Sequence, residues 1–293
     1  MNLAKFPLGI VIIVVAGAIF FSCHARAELI IKKPEQQTRF TFTNKQITES
    51  SGLACSTRNS ELLWTHNDSG HMPIIYAVDD QGRDRGTYHL DDIESIDWED
   101  MDAFQYQGNH YLLIADTGDN LNMLLGHRIS IIREPELNNV GRSTISPEWS
   151  FFFQYEDGQA YDVESVAVDI VREKIVLLTK KTKPTLMFEL PLKPENDAGI
   201  QQAVKVASFA EIVNPSALDI TADGRLMSIN TYRRIHRYQR ENPGERWQYE
   251  YSLKYKKMFQ PEAMCLSKNK RHYFVSSEKK KSLLKIGIKT SEK

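Results

Sequence analysis

The residues of this chain best placed to do chemistry are carboxylates at the starts of apolar segments. Residues 91 to 102 hold seven acids (Asp91, Asp92, Glu94, Asp97, Glu99, Asp100, Asp102) and no base. Glu164 and Glu262 open two later apolar runs as Glu99 opens its own, and Glu49 stands just ahead of Ser51-Gly52-Leu53-Ala54. Between them lie two Asp/Asn-rich stretches, Asn67-Asp68-Ser69-Gly70 and Asp116-Thr117-Gly118-Asp119-Asn120. Carboxylates brought within a few ångströms of one another must be relieved by a cation, by Lys or Arg, or by protonation. Hard oxygen ligands favour calcium or magnesium. The Asp116–Asn120 stretch has the composition of a calcium loop but neither the spacing of an EF-hand nor its bidentate Glu. The competing reading is structural: Asp and Asn cap turns by bonding the backbone two residues on, and acids pair with bases of neighbouring segments.

Other chemistries lack their signatures. There is no His-Glu-x-x-His, Cys-x-x-Cys, phosphate loop or dinucleotide fingerprint, and so no nucleotide or flavin signal. His66, Asp68 and Ser69 are too close in sequence to converge as a triad, and no Gly-x-Ser-x-Gly elbow is present. Trp98, between Asp97 and Glu99, would stack on a sugar or other planar ligand if it faced an opening, and belongs to the core otherwise.

The elements that would position these groups are repeated. Five segments share a small or acidic start, an apolar strand, a turn and a second apolar strand. Their anchors fall at Ser51, Glu99, Glu164, Ser216 and Glu262, spaced by 48, 65, 52 and 46 residues. A four-stranded propeller blade occupies about 40–50 residues. Two further β-branched and aromatic runs follow in each of the first four repeats, including Ile74–Val78, Trp149–Tyr155 and Arg234–Tyr238. The fifth has one, near Leu283–Ile288, and Arg39–Phe42 is expected to supply its outer strand. The fold class is therefore all-β, a single closed propeller of five blades, with six if the long 99-to-164 repeat hides an irregular blade.

In such a ring the repeat starts and the ends of the second strands open on one face. Glu49, Asp97, Glu99, Asp162, Glu164 and Glu262 should then gather near the axis, with Asn67, Asp68, Asp116, Asp119 and Asn120 farther out. Lys180, Lys181, Arg233, Arg234 and Lys279 should arrive from the later blades. The candidate ligand contacts are Asn67, Asp68, Trp98, Asp116, Asp119, Asn120, Lys180 and Arg233. No catalytic residue is assigned.

The stretches Glu49-Ser-Ser-Gly-Leu53, Leu63-Trp-Thr-His-Asn-Asp-Ser-Gly70, Asp97-Trp-Glu-Asp100 and Ala115-Asp-Thr-Gly-Asp-Asn120 resemble those of bacterial exported propellers in the NHL, SMP-30/gluconolactonase and TolB-like group. SdiA-regulated and esterase-like phytase families are the nearer likenesses. Asn214-Pro-Ser-Ala-Leu218 followed by Asp223-Gly224 is similar to their repeat. In lactonase-like members the resemblance implies a divalent ion on the ring axis. Glu49, or its repeat equivalents Glu99, Glu164 and Glu262, would hold it, with Asn214 as an amide ligand. This chain departs from that pattern in offering mainly carboxylates where those enzymes mix Asn and Asp.

The first residues set the compartment. Lys5, an apolar run from Phe6 to Phe21 and Ala25-Arg26-Ala27 read as a secretory signal over residues 1–27, with 28–293 as the propeller. Export to the periplasm or medium follows, and an uncleaved segment would anchor the chain to the membrane. In the mature region only Cys55 and Cys265 remain. They lie on the innermost strands of the first and last repeats, with opposite parity, so they either face each other as a ring-closing disulfide or turn apart as small buried hydrophobes. The formal net charge of −1 gives no footing for nucleic acid. The basic stretch from Lys268 to the end reads as a solvated face or edge protection. The functional expectation is a monomer that binds a small-molecule, sugar or peptide ligand, with calcium or another divalent cation, on an acidic ring face. The alternatives are a metal-dependent hydrolase of esters, lactones or phosphoesters and an envelope protein-interaction scaffold.

Overall fold

The computed structural model describes residues 30–124, 126–137, 144–194 and 199–289. The expected signal segment lies outside the described residues. Strands β1 (Ile31–Lys32) and β2 (Gln36–Thr41) open the described chain and serve distant sheets. Blade 1 is β3 (Ser50–Cys55), β4 (Leu62–Asn67), β5 (Ile74–Asp79) and β6 (Asp84–His89). Blade 2 is β7 (Trp98–Tyr106), β8 (Asn109–Asp116), β9 (His127–Arg133) and β10 (Trp149–Tyr155). Blade 3 comprises β11 (Val163–Asp169), β12 (Lys174–Thr179), β13 (Thr185–Pro191) and β14 (Gln201–Phe209). Blade 4 comprises β15 (Pro215–Ile220), β16 (Leu226–Thr231), β17 (Arg234–Gln239) and β18 (Gln248–Lys254). Blade 5 has β19 (Pro261–Leu266), β20 (His272–Ser277) and β21 (Ser282–Gly287), and β2 completes it antiparallel to β21.

The described residues thus form five blades, and among them the long second repeat adds no sixth sheet. Inner strands touch in the cyclic order β3, β7, β11, β15, β19 and back to β3. Strands buried on both faces are apolar nearly throughout, which is why β5 and β12 read as near-continuous hydrophobic runs, whereas β4 is apolar over Leu62–Trp64 and buries Thr65, His66 and Asn67 with hydrogen bonds. Five clusters of buried side chains fill the wedges between neighbouring blades. Trp64 and Tyr88 meet edge to face, with centroids 5.4 Å apart, in the wedge between blades 1 and 2.

Outer edges are managed in three ways. β14 pairs in parallel with β10 and fuses blades 2 and 3 into one eight-stranded sheet. β1 adds in parallel to β18. Leu90 and Ile145 bridge beside the edge of blade 1. Each device satisfies backbone groups that would otherwise invite another chain. The seam between blades 5 and 1 is closed twice, by β2 and by a disulfide between Cys55 on β3 and Cys265 on β19, whose Cα atoms are 5.6 Å apart. Of the two cysteine readings, the structure takes the bridge.

Adjacent inner strands do not hydrogen-bond to each other, so their N–H groups face the channel unpaired unless side chains reach them. Three aspartates do so. The Asp100 carboxylate accepts from the N–H of Met101, Val166 and Leu218, tying β7 to β11 and β15. Asp102 accepts from Ala103 and Val168, and Asp219 from Leu266.

Candidate functional site

Every inner strand carries a β-bulge at the same repeat position. The register slips at Ser51, Glu99, Glu164, Ser216 and Glu262, the five anchors of the repeat. A bulge inserts one unpaired residue and re-aims its side chain. The five bulged residues are all buried, and three of them are glutamates. The positions two residues earlier hold Glu49, Asp97, Asp162, Asn214 and Gln260. The positions just beyond the second strands include Asp68, Lys180, Tyr232 and Glu278.

Glu99 is the centre of this arrangement. Its carboxylate oxygens lie within 4.8 Å of oxygens from Asp68 and Asp97 on one side, and from Asp162 and Glu164 on the other. Blade 2 makes room at Gly118, where a β-carbon would overlap the carboxylates of both Asp97 and Glu99. Lys180 reaches in from blade 3 to bond Glu164 and stands 3.5 Å from Glu262. Lys181 Nζ lies 2.8 Å from Asp162 and donates to Asn120 Oδ1 at 2.7 Å. The Tyr232 hydroxyl donates to Glu262 at 2.9 Å, and Gln260 donates to Glu278.

The charge is unevenly compensated. The two lysines serve Glu164, Glu262 and Asp162, which leaves Asp68, Asp97 and Glu99 without a basic partner among the described residues. Burial, then the charges of Asp68 and Asp97, push Glu99 well above the usual carboxylate range. Burial, then Asp68, Asp162 and Asp116, push Asp97 up to about 6. A cation bound here would relieve that repulsion. With Ca–O distances of about 2.3–2.6 Å, oxygens sharing one ion lie up to about 5 Å apart, so the carboxylate spacing fits a hard divalent ion.

The residues singled out in the sequence divide clearly. Asp68, Glu99, Glu164, Glu262 and Lys180 come together at this mouth, and Asn120 stands beside it through Lys181. Asn214 occupies the blade 4 position two before Ser216, half-buried and at φ 51°. Arg233 is exposed on the β16–β17 turn, and it is its neighbour Tyr232 that reaches Glu262. Glu49 is in neither Glu99 carboxylate group and has His71 3.9 Å away, and the blade 1 bulge position, which in blades 2, 3 and 5 holds a glutamate, holds Ser51.

Four of the expected ligand contacts are structural. Trp98 is fully buried and donates its indole N–H to Glu94 O. Asn67 accepts from the N–H of Thr48 and Glu49 and donates to Gln46 O. Asp116 accepts from the N–H of Ile96 and Asp97, and Asp119 from those of Met123 and Leu124. His66 is likewise interior, with its ring packed on Gly52 and edge-on to Trp98, in keeping with the rejection of a triad. Gly118, Tyr232 and Gln260 were not singled out, although alignment of the repeats on their bulge positions reaches Tyr232 and Gln260.

No family model matches the chain, and no curated protein does. Solved structures similar to it include the Pan2 WD40 domain of Neurospora crassa, at 10% identity and TM-score 0.46 over 90% of this chain and 99% of that one. The PQQ-bound aldose sugar dehydrogenase of Streptomyces coelicolor is similar at 10% identity and TM-score 0.44, over 87% and 99%. A functionally unknown protein of Desulfotomaculum acetoxidans is similar at 11% identity and TM-score 0.43 over 78% of this chain, which spans only 65% of that protein. Likenesses this distant carry no functional argument, and the strand pairing itself defines the five-bladed ring.

Proposed function

We propose that this chain is an exported β-propeller that holds a divalent cation, calcium by preference, at the Glu99-centred mouth of its channel, and through it a small ligand bearing an anionic group. The observation that carries the reading is the position of Glu99 in two three-carboxylate groups at once, with Gly118 withdrawn beside it. Asp68, Asp97, Glu99 and Asp162 would supply the oxygens. Lys180, with Lys181, restrains the surrounding acids and offers positive charge to the ligand. Export is supported by the disulfide, which suits an oxidising compartment, and by the secretory pattern of residues 1–27. The likeness of its motifs to exported NHL and SMP-30-type propellers points the same way. A cation that binds only the folded chain must raise its melting temperature. Melts in EDTA and in added calcium test the proposal, and identical curves would end it.

A hydrolytic reading draws on Asp97. With no cation at the mouth, burial and its acidic neighbours hold Asp97 at about 6, which suits it to accept a proton near neutral pH, whereas ligation of the ion would remove that basicity. Turnover of p-nitrophenyl esters, phosphoesters or lactones by wild type, lost in Asp97→Asn, would favour an enzyme. Background rates from both would leave a binder.

A further inference from the structure

The inner strands all run from the Glu99 mouth toward the opposite end of the channel. There a cavity of about 650 Å³ is lined by residues from all five blades. Its walls include Phe104, Ile220 and Leu266, and Asp102 and Asp219 line it as well. The Asp219 carboxylate accepts one N–H, from Leu266, through Oδ2, and its Oδ1 makes no hydrogen bond among the described residues. Asp102 spends one lone pair of each oxygen on backbone N–H groups and keeps the rest.

We infer that this far mouth is a second binding site, for a small organic cation with an apolar body, whose ammonium group would bond Asp219 and Asp102 while its hydrocarbon lies on Phe104, Ile220 and Leu266. A pocket with mostly apolar walls and a few convergent polar groups is the usual form of a small-molecule site. The valence also fits. Burial holds Asp219 at about 6, whereas burial together with the charge of Asp219 holds Asp102 at about 8. At neutral pH the pair then carries close to one negative charge, the complement of a monocation. The basic groups at the rim do not fill this role. Lys270 is held by Asp223 at 2.6 Å and acts on Asp219 only through its charge, which lowers that carboxyl, and Lys268 donates to Thr57 O at the cavity wall.

The test is calorimetric titration of the purified protein with phenethylamine in EDTA, so that the result is independent of any cation at the Glu99 mouth. The expected result is saturable binding, with 2-phenylethanol and 3-phenylpropionate at least about tenfold weaker, and a similar loss in Asp219→Asn. Should Asp219→Asn fail to fold, Gln105→Arg decides. It adds a cation at an exposed lining position with the floor intact, and it too should weaken the amine. No binding of phenethylamine would overturn the inference. Equal binding of the neutral or anionic analogue would do the same, as would undiminished affinity in the folded variants.

Discussion

Gly118 rests against Glu99 so closely that a single methyl group between them would displace the Glu99 carboxylate. A glycine in that place keeps open the space in which oxygens from blades 1, 2 and 3 meet. Gly118→Ala should therefore leave the strand content unchanged by circular dichroism yet remove the rise in melting temperature that calcium gives the wild type. A variant that kept the full calcium shift would mean that the cation binds elsewhere.

Lys180 is the counter-charge of Glu164 and Glu262, and all three side chains are largely buried. Removing one member of a buried ion group leaves uncompensated charge, typically at a cost of about 3 kcal/mol or more. Lys180→Met should lose about that much in urea unfolding in EDTA. It should also gain more from calcium than the wild type does, since the ion then takes over the missing charge. A neutral substitution, or an unchanged calcium gain, would contradict the pairing.

The bridge between Cys55 and Cys265 closes a loop of more than two hundred residues. Chain-entropy arguments put the stabilisation from so long a loop at about 5 kcal/mol, against about 2–4 for typical disulfides. Urea unfolding with and without reductant should differ by about 2–5 kcal/mol, and Cys55→Ser/Cys265→Ser should match the reduced wild type and ignore reductant. Insensitivity of the wild type to reductant would show that β2 alone holds the seam.

Asp102 gives a pH dependence of definite sign. Its folded value, about 8, lies above the ordinary 3.8, first through burial and then through the charge of Asp219. Above pH 8 the folded chain carries a charge it disfavours, and protonation below 8 relieves it, so stability should rise as pH falls from 9 to 7. Glu99 adds a slope of the same sign. Asp102→Asn should flatten the curve, read as unfolding free energy in EDTA at each pH. An unaltered slope would place the titrating group elsewhere.

How far these features were legible in the sequence turns on the bulges. The spacing of Ser51, Glu99, Glu164, Ser216 and Glu262 marked the repeat, the blade count and the borrowed strand β2, because each anchor heads an apolar run with a strand period. What strict alternation cannot reveal is that one extra residue at each anchor reverses the facing of its neighbours. Glu99 turns to the axis while Trp98 turns into the wedge, and the same bulge position in blade 1 holds Ser51 rather than a glutamate. Asn67, Asp116 and Asp119 have the composition of ligand loops, but they spend their oxygens on backbone N–H groups created by the turns they stabilise. The pinning roles of Asp100, Asp102 and Asp219 had no local signal, since they answer unpaired N–H groups of strands far away in the chain.

Calorimetric titration of calcium into EDTA-stripped wild type and Glu99→Gln bears most directly on the central claim, because Glu99 alone belongs to both carboxylate groups. The expected result is one ion per wild-type chain and at least about tenfold weaker binding by the variant, which keeps its shape but loses the shared charge. Absence of binding by the wild type, or equal affinity in the two proteins, would contradict a cation site at this mouth.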